Sequence, residues 1–300
     1  MKVLIAIDSS PASQRILEEA AARPWPKDST FCIANAVDVG RFAELPALID
    51  DAKRESEQIL KAGAALLRRV SHIVTTEVLL GSPRKAISDC ASNMGADLIL
   101  AGSHGHSAIA RFLLGSVAQG ILRTAGCSVE IVRYPSEGRA PSSHPMKILL
   151  ATDGSECSLA AVRSVVARPW PAGTAFKVLS VEELVTIDMP MEASSLASFY
   201  PPSLLDTLMA DARARATGAA EVARKILLQA GMKVLDQEPS AIGDPRSAIL
   251  DQAQAWPADL IVLGSHGRRG LDRFLIGSVA ESVAIHAHCS VEVIRGNPGR

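Results

Sequence analysis

Aromatic residues are scarce in this chain, at 4% of 300 positions, and no apolar stretch is long. The longest segments free of Asp, Glu, Lys and Arg are 13 residues (98–110 and 193–205), short of the roughly 18 that a membrane helix needs. Near the start, the apolar run Val3 to Ile7 is broken by Asp8 and is too short for the core of a secretory leader. Charge of one sign is missing too. With 31 Lys and Arg against 32 Asp and Glu, a net charge of −1 gives no electrostatic ground for binding nucleic acid or membrane. The five cysteines, Cys32, Cys90, Cys127, Cys157 and Cys289, are odd in number and include no C-x-x-C, so they are expected as buried thiols in a reducing compartment. These absences lead to the expectation of a soluble, cytoplasmic protein. What is present is a composition of 48% hydrophobic and 21% charged residues, which excludes disorder. Its length suggests two domains.

The sequence contains itself twice. Arg23-Pro24-Trp25-Pro26 recurs as Arg168-Pro169-Trp170-Pro171, an offset of 145. Farther on the offset is 162, and 20 of 37 positions are identical between 97–133 and 259–295. The difference of 17 implies an insertion in the second copy, assigned to 183–206, a stretch rich in Met, Ser and Pro. Residues 135–145 carry the Pro, Ser and Gly of a linker, giving expected domains at 1–134 and 146–300.

Within each copy, short apolar runs alternate with amphipathic segments. The runs are Lys2–Ile7, Phe31–Val37, the stretch before Gly81, Asp97–Ala101 and Ser128–Arg133, with counterparts in the second copy. Continuous apolar strands alternating with helices indicate a parallel sheet covered on both faces. Right-handed crossovers then give two tandem α/β domains, each a doubly wound, five-stranded parallel sheet.

Ligands in such sheets bind outside the carboxyl ends of the strands. The fourth strand of the first copy runs into Gly102-Ser103-His104-Gly105, then nine residues, then Gly115-Ser116-Val117. The second copy repeats this as Gly264-Ser265-His266-Gly267, nine residues, and Gly277-Ser278-Val279. Glycine lets a backbone approach a ligand closely, and the Gly-Ser pair opens a helix whose free N–H groups suit phosphate. The alternative is that the glycines end the loop and Ser116 and Ser278 merely cap the helix.

G-x2-G-x9-G-S after a strand resembles the nucleotide-binding signature of the universal stress protein family, and the resemblance covers essentially the whole chain as a tandem pair. It extends to Asp8 and Asp153 closing the first strands, the turns Gly81-Ser82-Pro83 and Gly243-Asp244-Pro245, and the Cys-Ser-Val strand starts. The resemblance implies a Rossmann-like fold of the adenine nucleotide alpha hydrolase type, binding of ATP or AMP, with Mg²⁺ as a bridge between phosphates, and a stress-response role. It places the ribose-contacting acid on Asp8 and Asp153, which would otherwise be helix caps. It puts the adenine contact on Ala36 and Val181, or else these are ordinary strand burial. Gly81 and Gly243 would bring backbone close to base or ribose. The phosphate loop falls on Gly102, Gly105, Gly115, Ser116 and Val117, and on Gly264, Gly267, Gly277, Ser278 and Val279. Members of the family pair through the last strand, so the two copies are expected to form an intramolecular pseudo-dimer, leaving room for a further homodimer.

The copies differ beside the loop. The second has Asp153-Gly154-Ser155 and Arg268-Arg269-Gly270, whereas the first has Asp8-Ser9-Ser10 and His106-Ser107-Ala108. The second copy is therefore expected to bind at least as tightly. His104 and His106 fit neither a metal pair nor a nucleotidyltransferase signature, and His286, His288 and Cys289 read as a helix end rather than a zinc site. Arg111 and Arg273 either counter phosphate charge or lie on a solvated helix face. No G-x-x-x-x-G-K-[S/T] is present, which excludes a P-loop ATPase. The expected function is a nucleotide-binding sensor or regulatory module; the alternatives are a slow ATPase or other phosphoryl-handling enzyme, and a nucleotide-free interaction scaffold.

Overall fold

The computed structural model describes residues 1–42, 46–70, 73–103, 114–133, 144–182, 202–235, 240–268 and 276–296. The first half contains β1 (Lys2–Ala6), α1 (Pro11–Ala22), β2 (Thr30–Val37), α2 (Pro46–Leu67), β3 (Val74–Leu80), α3 (Pro83–Met94), β4 (Leu98–Gly102), α4 (Ser116–Thr124) and β5 (Ser128–Val132). The second half contains β6 (Lys147–Ala151), α5 (Glu156–Val166), β7 (Ala175–Glu182), α6 (Pro202–Gln229), β8 (Lys233–Val234), β9 (Ser240–Ile242), α7 (Pro245–Ala255), β10 (Leu260–Gly264), α8 (Ser278–His286) and β11 (Ser290–Ile294). Among the described residues, no helix is long and apolar enough to cross a membrane.

The strands form one sheet in the order β3-β2-β1-β4-β5-β11-β10-β6-β7-β8, with β9 also against β7. All pairings are parallel except β5 with β11, where Glu130 lies opposite Glu292. Each half has the doubly wound order 3-2-1-4-5, which places a switch point between β1 and β4 and between β6 and β10. The central strands are buried almost end to end, as Val3–Ala6 and Leu260–Leu263 illustrate, because helices cover both faces. One difference from expectation lies at the edge. The third strand of the second half is two short pieces, β8 against Ala175–Phe176 and β9 against Ser180–Glu182. Pro239, which has no N–H for a ladder bond, falls between them in the sequence. Most of the insertion assigned to 183–206 lies outside the described residues, and its end opens α6 at Pro202.

Core packing explains why the repeats recur. One apolar cluster on the α3, α4, α7 and α8 face runs through both halves, joining Leu4, Ile121 and Val129 to Leu149, Val283 and Val291. On the opposite face each half has its own cluster, beneath α1 and α2 or beneath α5 and α6. The Arg-Pro-Trp-Pro segments end α1 and α5 and pin them to the sheet. Trp25 donates its indole N–H to Ala20 O at 2.7 Å and meets Phe31 edge-on, and Trp170 repeats this with Val165 O at 2.9 Å and Phe176. Arg23 reaches the seam strand β5, where its guanidinium forks onto Glu130 at 2.6 and 2.7 Å; Arg168 bonds Glu292 on β11 at 2.8 Å. The two halves also exchange arginines. Arg133 donates to Ile285 O at the end of α8, and Arg295 donates to Leu122 O near the end of α4. These reciprocal contacts satisfy carbonyls that a helix end leaves without partners.

Candidate functional site

Outside the carboxyl ends of β6 and β10, at the switch point of the second half, lies a cavity of about 540 Å³. It falls within the roughly 300–1,000 Å³ of small-molecule sites. Leu179 and Val181 on β7 and Ile249 on α7 form an apolar wall. Asp153, the loop Gly264 to Arg268, and the first turn of α8 line the polar remainder.

The acid is held by two loops. Asp153 accepts the amide N–H of Ser155 at 3.0 Å and that of Arg268 at 2.9 Å, so its carboxylate ties the turn after β6 to the loop after β10. Burial opposes its ionisation, but hydrogen bonds from Ser155, Arg268 and Ser158 together outweigh this and hold the carboxyl below its usual range. It does not cap α5; Ser155 does, accepting from Ser158 N–H at 3.3 Å.

The opposite end of the cavity suits an anion. Gly277 is the N-cap of α8, no side chain caps that end, and Ser278, Val279 and Ala280 line the cavity. Ser278 is thus the first residue of the helix rather than its cap. Its hydroxyl accepts from the Arg246 guanidinium at 3.3 Å. Arg215 of α6 and Arg268 add positive charge to the wall. Backbone N–H groups, the helix dipole and guanidinium groups together favour phosphate or carboxylate.

The loop glycines have structural reasons as well. A Cβ on Gly264 would stand 2.6 Å from Cys157 C and 2.7 Å from Ser158 N, inside the backbone of the first turn of α5. On Gly277 it would approach Ser265 O at 3.0 Å, the carbonyl that accepts Gly277 N–H at 2.7 Å. Gly267 would press on Asp153 Oδ2 at 2.8 Å. Gly264, Gly267 and Gly277 therefore sit tightly against α5, Asp153 and Ser265, and the start of α8 is left without a side-chain cap.

Matched against protein families, residues 1–133 and 145–295 each fit the Universal stress protein family. The chain belongs to this family. A putative universal stress protein of Staphylococcus epidermidis is 31% identical over 137 residues, covering 44% of this chain and 82% of that protein. A universal stress protein of Mycobacterium tuberculosis is 26% identical over 226 residues, 74% of this chain and 69% of that one. The crystal structure of a universal stress protein from Archaeoglobus fulgidus covers 100% of this chain and 97% of its own, with a TM-score of 0.65 at 19% identity, a likeness of fold.

Of the residues that the family resemblance singled out in the second half, Asp153, Val181, Gly264, Gly267, Gly277, Ser278 and Val279 line the cavity. Gly243 does not; its φ of +132° makes the turn that starts α7 at Pro245, which does line it. In the first half, Gly105 lies outside the described residues, as do His104, His106, Arg111 and, in the second half, Arg273. The base of the loop is nonetheless the same in both halves. Gly115 N–H bonds Ser103 O at 2.7 Å, and Gly115 caps α4 just as Gly277 caps α8. Ser116 and Val117 are exposed on the first turn of α4, Gly102 ends β4, and Gly81 turns with φ +120° before Pro83. Ala36 is half-buried and packs on the shared core. Asp8 is engaged differently from Asp153. It accepts Ser10 N–H at 3.0 Å, the Ser10 hydroxyl, and the Ser13 hydroxyl at 2.8 Å, all within its own turn, and it is not the cap of α1, which is Ser10.

Thr152, Ser158, Arg215 and Ile249 line the cavity without having been singled out by sequence, and Arg246 stands behind Ser278. Thr152 and Ser158 flank Asp153-Gly154-Ser155 and could have been found by that proximity. Arg215, one of three arginines on a long helix, carried no signal. The expectation of uniformly buried thiols is also corrected: Cys32, Cys90 and Cys289 are buried, but Cys127 and Cys157 are partly exposed, since both lie in turns or first helical residues at element ends.

Proposed function

We propose that this tandem universal stress protein binds an adenine nucleotide, ATP or AMP, and acts as a stress-response sensor or regulatory module. The observation that carries the reading is the cavity of the second half, whose lining combines an apolar wall, an acid held below its usual range and an uncapped helix end. Adenine packs on Val181, Leu179 and Ile249; the two ribose hydroxyls donate to Asp153. The phosphates meet the amides of Ser278 and Val279 with Arg268 and Arg215 nearby; Mg²⁺, with Asp153 the carboxylate lining the cavity, would offset phosphate charge. The first half offers Asp8, Ala36 and the α4 end for a second nucleotide, held at best as tightly. The sequence carries no P-loop lysine motif, so turnover is expected at most at a trace rate. Occupancy stabilises the folded chain by mass action, which lets it report nucleotide level.

Calorimetric titration with ATP and AMP, with and without Mg²⁺, tests the proposal, alongside mass spectrometry of nucleotide released from freshly purified protein. Ser278→Glu places a carboxylate at the phosphate position on an exposed residue, where it also favours the helix dipole. Binding to the second site is expected to fall at least tenfold while the melting temperature of the empty protein holds or rises. Flat titrations of the parent protein, or equal affinity in Ser116→Glu/Ser278→Glu, would overturn the reading.

A further inference from the structure

A second cavity, of about 460 Å³, opens on the first half beside β3, at the edge of the sheet, and Cys32, Glu77, Asp89, Cys90 and Asn93 are among its walls. Cys32 and Cys90 are buried and Glu77 is exposed, yet their Sγ and carboxylate oxygen atoms all lie within 4.8 Å of one another. Three separate elements bring them together. Cys32 sits in β2 across from Thr75 of β3, so Cys32, Thr75 and Glu77 project from the same face of the sheet, beneath α3, which supplies Cys90. Cys90 donates its thiol hydrogen to Glu77 Oε2 at 3.1 Å.

We propose that Cys32, Cys90 and Glu77 bind one thiophilic divalent cation of the zinc type. Two thiolates and a carboxylate are three of the four ligands of a tetrahedral site, and the fourth position faces the cavity, open to water or a ligand. Ligand atoms around such an ion stand ~3–4 Å apart for metal–ligand bonds of ~2.0–2.3 Å, so the cluster contracts by less than an ångström or so on loading. Binding displaces the thiol protons, including the one now shared with Glu77. The set is specific to this half. Strand register puts Lys177 of β7 where Cys32 stands, and the matching helix position to Cys90 holds Gln252, so the fold itself does not require the cysteines. The site is also separate from the nucleotide cleft: Cys32 precedes Ala36 by four residues of strand, ~13 Å. This proposal stands independently of nucleotide binding.

Full-length reduced protein titrated with Co²⁺ alone is expected to take up one ion and develop a near-ultraviolet sulfur-to-cobalt charge-transfer band, which Zn²⁺ then displaces. Cys32→Ser and Cys90→Ser are expected to abolish the band, and Cys127→Ser and Cys157→Ser to leave it unchanged. Should either buried replacement fail to fold, Glu77→Gln at the exposed position carries the test, with affinity expected to fall about tenfold or more and the melting temperature of the metal-free protein held. A band that survives Cys32→Ser, or full affinity in Glu77→Gln, would overturn the proposal. So would reduced protein that takes up no ion, including the case in which Cys32 and Cys90 merely form a disulfide in air.

Discussion

Two aspartates at matching positions have different duties. Asp8 is engaged through Oδ1 by the nearby Ser10 and Ser13, whereas Asp153 spans two loops and lines a cavity. Asp153→Asn is expected to weaken nucleotide binding about tenfold or more, since hydrogen bonds to a charged acceptor contribute ~1.5–3 kcal/mol. The pH dependence follows from the direction of its shift. A carboxyl held low in the folded state stabilises the fold above its unfolded pKa of ~4 and loses that contribution as pH falls through the lower folded value. Asp153→Asn should therefore flatten the acid limb of a stability–pH curve measured by urea denaturation. Unchanged curvature below about pH 4 would count against the role given to Asp153. At Gly264 the issue is space. Gly264→Ala drives a Cβ into the backbone of α5 and is expected to destabilise by about 1–3 kcal/mol or more, while Gly296→Ala, with open space around it, stays within ~0.5 kcal/mol.

At the scale of elements, much was legible because each strand and helix carries its own local signal. Apolar runs ended where Asp8, Gly102 and Gly264 stand, and Pro83 and Pro245 did open helices after positive-φ glycines. The doubled spacing of Gly102 and Gly264 to the Gly-Ser pairs located the open helix ends of α4 and α8. What the sequence did not reveal depends on tertiary meeting. Arg215 arrives from a long helix, Arg246 from the next helix, and Cys32, Glu77 and Cys90 from three elements with no shared spacing. The division of the edge strand into β8 and β9 was equally hidden, because an edge piece has few neighbours to impose a pattern on it. Arg-Pro-Trp-Pro was visible as a repeat but not as a clamp, since its partner Glu130 lies 107 residues away.

For the whole molecule, the clamp matters most. Glu130 is fully buried, and burial pushes its carboxyl up against the pull of Arg23. Removing the arginine strands a carboxylate in the core, so Arg23→Ala is expected to cost about 3–5 kcal/mol at neutral pH. The deficit should shrink as pH falls, because protonating Glu130 removes the unpaired charge, a raised folded pKa giving stability on the acid side. Chemical denaturation of Arg23→Ala at neutral and mildly acid pH checks this, and a loss that grows toward acid would contradict it. Arg168→Ala is expected to cost less at neutral pH, with a single bond to Glu292 in place of a fork.

The reversal of direction at β5 and β11 has a geometric result for any partner of this chain. Strands of the two halves point opposite ways, so their carboxyl ends, where the glycine caps of α4 and α8 stand, face opposite borders of the shared sheet. No single flat partner can cover both of these ends together. A partner docked over the carboxyl ends of one half therefore leaves those of the other uncovered.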